Sequence, residues 1–471
     1  MTSAFDFAVI GAGSAGCVVA AELVRAGHAV ALVEAGPDYG PFSARWPREI
    51  RDPRRRTERH DWGFVAAMTR TVTEDEPRAR VFGGCSAHNE CGAVWPPAED
   101  LDAWEVPGWT AAELWPLVER IESARGGSAL RGRSGPVPTA PWTDGPLAAW
   151  QRDFAEGTRA CGYGELDDLS APGSAAGIAP FHANVRAGVR WNASFAFLDP
   201  VRGSPRLSLF PRTEALRLEH RAGRVEALVC RRGKRRVALR AARYVLCAGA
   251  YGSPLLLLRS GVRRREVGRG LQDHPGVALR FRARPGAPRE LRSREVARSQ
   301  VALRAASGTT SLGWDLHLLP YQAEGEIVIF VFFMAPRSRG LVTRSRDKPR
   351  IRFRFFEREG AADLDALVAG VEIAREIARR SKVAELVDPA ADTSERALRR
   401  WIRANVSGYA HASCTNRMGA DARSVVDPRC RVRGFDNLSV ADASIFPRIP
   451  RANTNMLCML AAMRATQLLL G

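Results

Sequence analysis

Two stretches of this 471-residue chain place glycines where a backbone must approach something closely. The first is Gly11-Ala12-Gly13-Ser14-Ala15-Gly16, which fits GxGxxG, with a short apolar run before it and an apolar helical run after it. Glycines in that setting permit a tight turn and let a pyrophosphate sit on a helix N-terminus. Glu34 ends the next apolar run, where an acid hydrogen-bonds ribose hydroxyls and disfavours a 2′-phosphate. The pattern predicts a bound dinucleotide, FAD or NAD in preference to NADP. The second stretch is Val81–Val94, VFGGCSAHNECGAV. Here Gly83 and Gly84 bring His88 and Asn89 up to whatever the loop lies against.

These residues need elements to hold them. Phe7–Ile10 reads as a short strand, Cys17 to about Arg25 as a helix stopped by Gly27, and Ala29–Val33 as a second strand, a βαβ opening. The chain then leaves through Glu34-Ala35-Gly36-Pro37 into residues 41–110, rich in Pro, Arg and Gly. Such a wandering segment folds around a ligand, and it suits FAD, whose flavin lies far from the first sheet. Residues 205–250 alternate apolar and basic residues and end in YVLCAG, a meander feeding back into that sheet. Further strands are expected at Ile327–Phe333 and Ile351–Phe356. Leu364, Leu367, Val368, Val371 and Ile377 mark an amphipathic helix over 361–380. A last apolar helix starts at about Met456. There are no internal repeats.

Composition excludes several classes. The chain is 45% hydrophobic, yet it has no run of 18 apolar residues, so no membrane span is expected. The N-terminus enters a strand at once and does not read as a signal peptide. Nine scattered cysteines, none in a CxxC pair, suit a reduced, cytoplasmic protein and argue against a disulfide framework or a metal site. Net charge is +19 and almost all of the basic residues are Arg, spread along the chain. That spread predicts a solvated basic surface and no nucleic-acid partner.

Six ordered motifs carry a resemblance over nearly the whole chain: GAGSAG with EAG, FGGCSAHN, YVLCAGAYGSP, GLQDHPG, HASCTNRMG and VADASIFP. Together they resemble the glucose–methanol–choline (GMC) oxidoreductases, nearest to the choline oxidase branch. The resemblance implies an α/β fold, with a Rossmann-like FAD-binding domain and a second α+β substrate domain built on an antiparallel sheet. The first would comprise 1–150, 200–280 and 405–471, the second 151–199 and 281–404. It implies FAD contacts from Gly11, Gly13, Ser14, Gly16, Glu34, Ala35, Gly83, Gly84, His88, Asn89, Ala248, Asp442 and Ala443. His88 matches the histidine that bonds covalently to the flavin in that branch, a bond that would make the flavin a better hydride acceptor. The alternative is a non-covalent His88 packed beside the ring. Glu90 departs from the branch, facing either substrate or solvent.

The resemblance also assigns a catalytic pair. Oxidation of an alcohol needs a base for the hydroxyl proton as hydride leaves, and a histidine suits that task. Of eight histidines, His411 matches the family's active-site histidine and Asn453 its partner, which can hold the substrate oxygen by donating from its amide. Asp273 and His274 match a structural element. His28 reads as a helix cap and His220 as part of a hairpin, while His60, His182 and His317 show no partner. The expected reaction is oxidation of a primary alcohol to an aldehyde by hydride transfer to flavin N5, with oxygen or another electron acceptor. Tyr409, two before His411, would crowd oxygen out.

Choline itself is not expected. The cage glutamate falls near Gln300 and the cage tyrosine at Ala410, and only Trp62 keeps its place. Arg298 and Arg304 would favour an acidic group if they face the site. The compressed segment before Gln272 leaves a homodimer open. The alternatives are a same-fold flavoprotein with decarboxylase or lyase chemistry, or a non-catalytic flavin-binding protein.

Overall fold

The computed structural model describes residues 5–55, 59–142, 146–173, 175–292, 299–323, 326–345, 349–387 and 394–471. Phe7–Ile10 and Val30–Val33 are fully buried, apolar strands, as expected for a parallel sheet covered on both faces. They form its centre. In spatial order its strands are Leu207–Phe210, Val30–Val33, Phe7–Ile10, Arg243–Leu246 and Leu438–Val440, all parallel. Strands from four distant parts of the chain thus end side by side, and ligands of such sheets bind beyond those carboxyl ends. The helix Ser14–Arg25 packs against the last helix, Thr454–Leu470.

A second, antiparallel sheet runs Ala384–Leu386, Pro275–Ala283, Glu326–Phe333, Leu316–Ala323, Val301–Ala305 and Gly177–Pro180. The amphipathic helix Asp363–Arg379 lies against it, burying Leu364, Leu367, Val371 and Ile377. The fold class is therefore the expected one, a Rossmann-like domain joined to a domain on an antiparallel sheet. One pairing matters for the site. Ser407–Gly408 pairs with Pro275–Gly276, and Gln272 bridges Ser413, so Asp273-His274 and Tyr409–His411 run side by side.

Several expectations are refined. The first helix begins at Ser14, three residues before Cys17, because the end of the glycine motif is already its first turn. The meander is real but divided: Leu207–Phe210 and Arg243–Leu246 join the parallel sheet, and Thr213–Leu239 forms its own three-stranded sheet. The strand expected over Ile351–Phe356 stops at Arg352. Arg354 and Phe356 take left-handed conformations there (φ 58° and 63°), a bend that turns Phe353, Phe355 and Phe356 into the core. The strand Pro275–Ala283 crosses residue 280, so a division there would cut it. Nothing in the sequence singles out Arg190. Fully buried, its guanidinium donates to the carbonyls of Glu49, Ile50, Asp52, Arg55 and Ala87 at 2.8–3.3 Å. It ties the irregular segment to the His88 loop. All nine cysteines are free. No helix among the described residues is long and apolar enough to cross a membrane.

Candidate active site

The nucleotide end is built from glycine contacts. A Cβ at Gly16 would lie 1.8 Å from the Gly11 carbonyl oxygen, and one at Gly84 would lie 2.4 Å from Gly13 Cα. The Gly83–Gly84 loop therefore rests directly on the opening motif, and Gly83 N–H donates to the Ala12 carbonyl at 2.8 Å. The helix Ser14–Arg25 has no side-chain cap at its N-terminus, and neither has Thr454–Leu470. Ser14 Oγ donates to Asn455 Oδ1 at 2.7 Å, so the two uncapped ends meet. Asn455 Nδ2 is buried there with no partner among the described residues. Two helix ends and an orphaned amide donor make a place for anionic oxygens.

Glu34 is buried at the end of its strand. It accepts from Ala12 N–H at 3.0 Å and Gly36 N–H at 2.8 Å, with Ala35 between. Burial raises its carboxyl above the usual range, against the pull of those donors. Asp442 spends its carboxylate inside the chain. It accepts from Gly249 N–H at 2.9 Å, Ser253 Oγ at 2.5 Å and Ser444 N–H at 2.9 Å. Ser253 Oγ in turn accepts from Ala248 N–H at 3.1 Å. Asp442 and Ala443 thus frame the turn at Ala248. These donors, glycines and the single acid fit FAD.

Gly84–Ala87 forms a single tight turn that delivers His88. Burial, with Arg78 and Arg190 acting in the same direction, lowers His88 to about 3, so its imidazole is neutral. Asn89 Oδ1 accepts from Cys91 N–H at 3.1 Å. Glu90 is exposed, which places it on the solvent side.

The structure brings His411 and Asn453 together, with His411 Nε2 3.2 Å from Asn453 Nδ2. His411 Nδ1 lies 3.0 Å from His274 Nδ1, and His274 Nε2 lies 3.0 Å from the Pro450 carbonyl. Asp273 Oδ1 accepts from the backbone N–H groups of His274 (2.7 Å), His411 (3.0 Å) and Tyr409 (3.2 Å). It thereby holds the turn in which Ala410 is left-handed (φ 62°). Reading Asp273-His274 as structural alone missed that His274 touches the ring of His411. Burial drives His411 well below its ordinary value, with His274, Arg78 and His317 adding to the effect.

Aromatic rings surround the pair. Tyr409 stacks on Phe332 (3.8 Å between centroids, 2°) and sits 4.2 Å from His411. A Cβ at Gly92 would meet the Phe181 ring at 2.8 Å and Asn453 Nδ2 at 3.1 Å, so Phe181 closes another side. His317 is buried and stacked on Trp314 (5.2 Å, 4°), with neither ring nitrogen bonded among the described residues. Arg78, three residues before the Val81-Phe82-Gly83-Gly84 run, carries no signal in the sequence either. Its Nη2 is 3.0 Å from Glu76 Oε2, to which the Tyr251 hydroxyl donates at 2.9 Å.

The residues weighed for a substrate cage do other work among the described residues. Gln300 Oε1 accepts from Ala148 N–H at 2.8 Å and serves a helix start. Trp62 is 38% exposed, and the Arg80 guanidinium lies 4.8 Å over its ring. Arg304 is buried and donates to the carbonyls of Leu169, Ala171 and Ala175 at 2.9–3.2 Å, so it does not face a substrate. Arg298 lies outside the described residues.

Fold and site together define a flavin-dependent oxidoreductase with a two-domain architecture. Models of the two GMC oxidoreductase domains match residues 5–276 and 336–462. The chain belongs to the GMC oxidoreductase family, and it is an FAD-dependent enzyme oxidising an alcohol. It is 31% identical to choline oxidase of Arthrobacter globiformis, covering 99% of this chain and 94% of that one. It is 28% identical to oxygen-dependent choline dehydrogenase of Photobacterium profundum, over 100% and 94%. Among solved structures, pyridoxine 4-oxidase from Mesorbium loti matches with a TM-score of 0.87 at 25% identity, over 98% of both chains. These matches do not favour the decarboxylase, lyase or non-catalytic readings.

Proposed function

We propose that this chain oxidises a primary alcohol with an uncharged, apolar or aromatic body to the aldehyde. His411 Nε2 takes the hydroxyl proton and the Asn453 amide holds the oxygen. When bound, FAD supplies the hydride acceptor at its N5. The observation that carries the reading is the His411–Asn453 contact set among Phe181, Phe332 and Tyr409. Such rings would keep water from the pair, and a dry site strengthens the hold of the amide on a developing alkoxide.

Charge counts against a quaternary ammonium in this reading. A cation there needs a free carboxylate or an open aromatic cage. Asp273 Oδ1 is taken by three backbone donors and Glu76 by Arg78 and Tyr251, while Asp273 Oδ2 is buried with no partner among the described residues. Burial and the neighbouring Glu76 push the Asp273 carboxyl up to about 7, which further weakens it as a counter-ion. Mixed anaerobically with a panel of alcohols, the purified protein is expected to lose its visible flavin band with aromatic and apolar primary alcohols and to keep it with choline. Bleaching by choline at comparable rate would overturn this substrate class.

His88 is the tether in this reading. Its neutral imidazole keeps the lone pair that a bond to a cofactor carbon needs; that bond would replace a C–H bond of the carbon, leaving two electrons on the flavin for oxygen or another acceptor to remove. Acid-precipitated protein is expected to stay yellow, and the His88→Ala variant to release its colour to the supernatant. Colour released from the unaltered protein would end the idea. A cytoplasmic location, a homodimer, and oxygen or another acceptor belong to the same reading. So does the two-part division of the chain, with the boundary at 280 moved to Asp273-His274.

A further inference from the structure

The three-member chain Pro450–His274–His411 has a fixed direction. A carbonyl oxygen only accepts, so the His274 Nε2 that faces Pro450 at 3.0 Å must carry a hydrogen. A neutral imidazole has one N–H, which leaves the His274 Nδ1 lone pair facing His411 Nδ1 at 3.0 Å. Two lone pairs at that distance repel, so His411 must donate from Nδ1. Its own lone pair is then confined to Nε2, the atom 3.2 Å from Asn453. The ordering also sets the Asn453 amide, whose Nδ2 must face that lone pair.

We propose that His274 is the positioning residue that locks His411 in the Nδ1–H tautomer and so aims its basic nitrogen at the substrate oxygen. This rests on His411 being the base. A neutral imidazole does here what a buried carboxylate does in a serine-protease triad, where the wrong tautomer costs about 10⁴-fold. The neutral partner has a consequence. Burial holds His274 at about 3, against the Pro450 and Met334 carbonyls, so His274 brings no negative charge to support a protonated His411. The charged or titratable groups acting on His411 are His274, Arg78 and His317; the Asp273 carboxyl, which bonds the His411 backbone, also lies within 4.8 Å of its ring, and burial with Glu76 pushes that carboxyl up to about 7. His274, Arg78 and His317 all disfavour the cation. His411 therefore stays an unprotonated base well below pH 6.5.

Anaerobic flavin reduction by the best alcohol of the panel tests this in the full-length, FAD-loaded enzyme. His274→Leu is expected to lower the limiting reduction rate by about 10²–10⁴-fold with little change in alcohol affinity. His274→Gln is expected to stay within about tenfold of the unaltered enzyme, because its amide accepts from His411 and donates to Pro450. His274→Glu supplies an anion that favours protonated His411. The acid limb of its rate profile is expected to move up by at least about one pH unit, a shift that mere packing would not cause. If His274→Leu fails to fold, the Gln and Glu variants still decide. Unaltered rates in His274→Leu, or an unmoved acid limb in His274→Glu, would overturn the inference. Asp273, His274 and His411 also bring ligand-type atoms within 4.8 Å of one another. One tightly held zinc per chain, found by elemental analysis and required for activity, would overturn it too. Failure of the parent reading looks different: His411→Ala itself would stay active.

Discussion

Replacing His411 with alanine is expected to cut the anaerobic rate of flavin reduction by about 10²–10⁴-fold, the range for losing a positioned general base, while FAD stays bound. The side chain is spent on Asn453 and His274 and on no part of the glycine cradle. Its backbone N–H bond to Asp273 survives the change, so the turn at Ala410 should keep its shape. The lost function is then proton removal and not assembly. Rapid-mixing spectroscopy reads the rate, and the ratio of visible to protein absorbance reads the bound flavin. Reduction at the unaltered rate would remove His411 from the mechanism. Loss of flavin together with activity would make it a structural residue. Because burial drives His411 well below its ordinary value, the unaltered enzyme should show no acid limb near pH 6.5.

Gly84→Val is expected to empty the protein of FAD and lower its melting temperature. A Cβ at this position would sit 2.4 Å from Gly13 Cα; the first is fixed by its own backbone and the second is backbone, so no rotamer can relieve the clash. Gly84 is also left-handed (φ 54°), a conformation a β-branched residue resists. Overpacking of this kind costs about 1–3 kcal/mol, and here the strain falls on the mouth of the helix Ser14–Arg25. Gly261→Ala is the control. It shares the left-handed backbone (φ 78°) but has nothing within 4 Å of the new Cβ. Its melting temperature should fall slightly and its flavin content should not. Full flavin content in Gly84→Val would show that the loop does not rest on the nucleotide cradle as described.

The nucleotide half is legible in the sequence because its signals are local. Gly11, Gly13, Gly16 and Glu34 lie within one strand–helix–strand unit, and Gly16 and Glu34 meet demands set inside it, from the Gly11 carbonyl and from the Ala12 and Gly36 N–H groups. The parallel sheet follows from buried apolar runs such as FAVI and VALV. The helix over 361–380 follows from its apolar spacing. The six motifs carry the family and bring His411 and Asn453 forward as a pair.

What the chain order could not show is which groups of one residue type become partners. His274 and His411 are 137 positions apart, and His274 and Pro450 are 176 apart. The pairing of Ser407–Gly408 with Pro275–Gly276 and the Gln272–Ser413 bridge set His274 and His411 side by side. Arg190 and Arg304 look alike in sequence to dozens of surface arginines, yet both are buried on backbone carbonyls. Gln300 stands where a cage glutamate would fall and Trp62 keeps a cage position, but Gln300 accepts from Ala148 N–H and Trp62 lies under the Arg80 guanidinium. Sequence determined the cofactor and the reaction class, because glycines, an acid and a helix start act over a few residues. Tertiary structure decided which side chains meet His411 and Asn453 and which rings surround them. Hydrogen-bond direction and pocket charge depend on groups that meet only when distant strands pair.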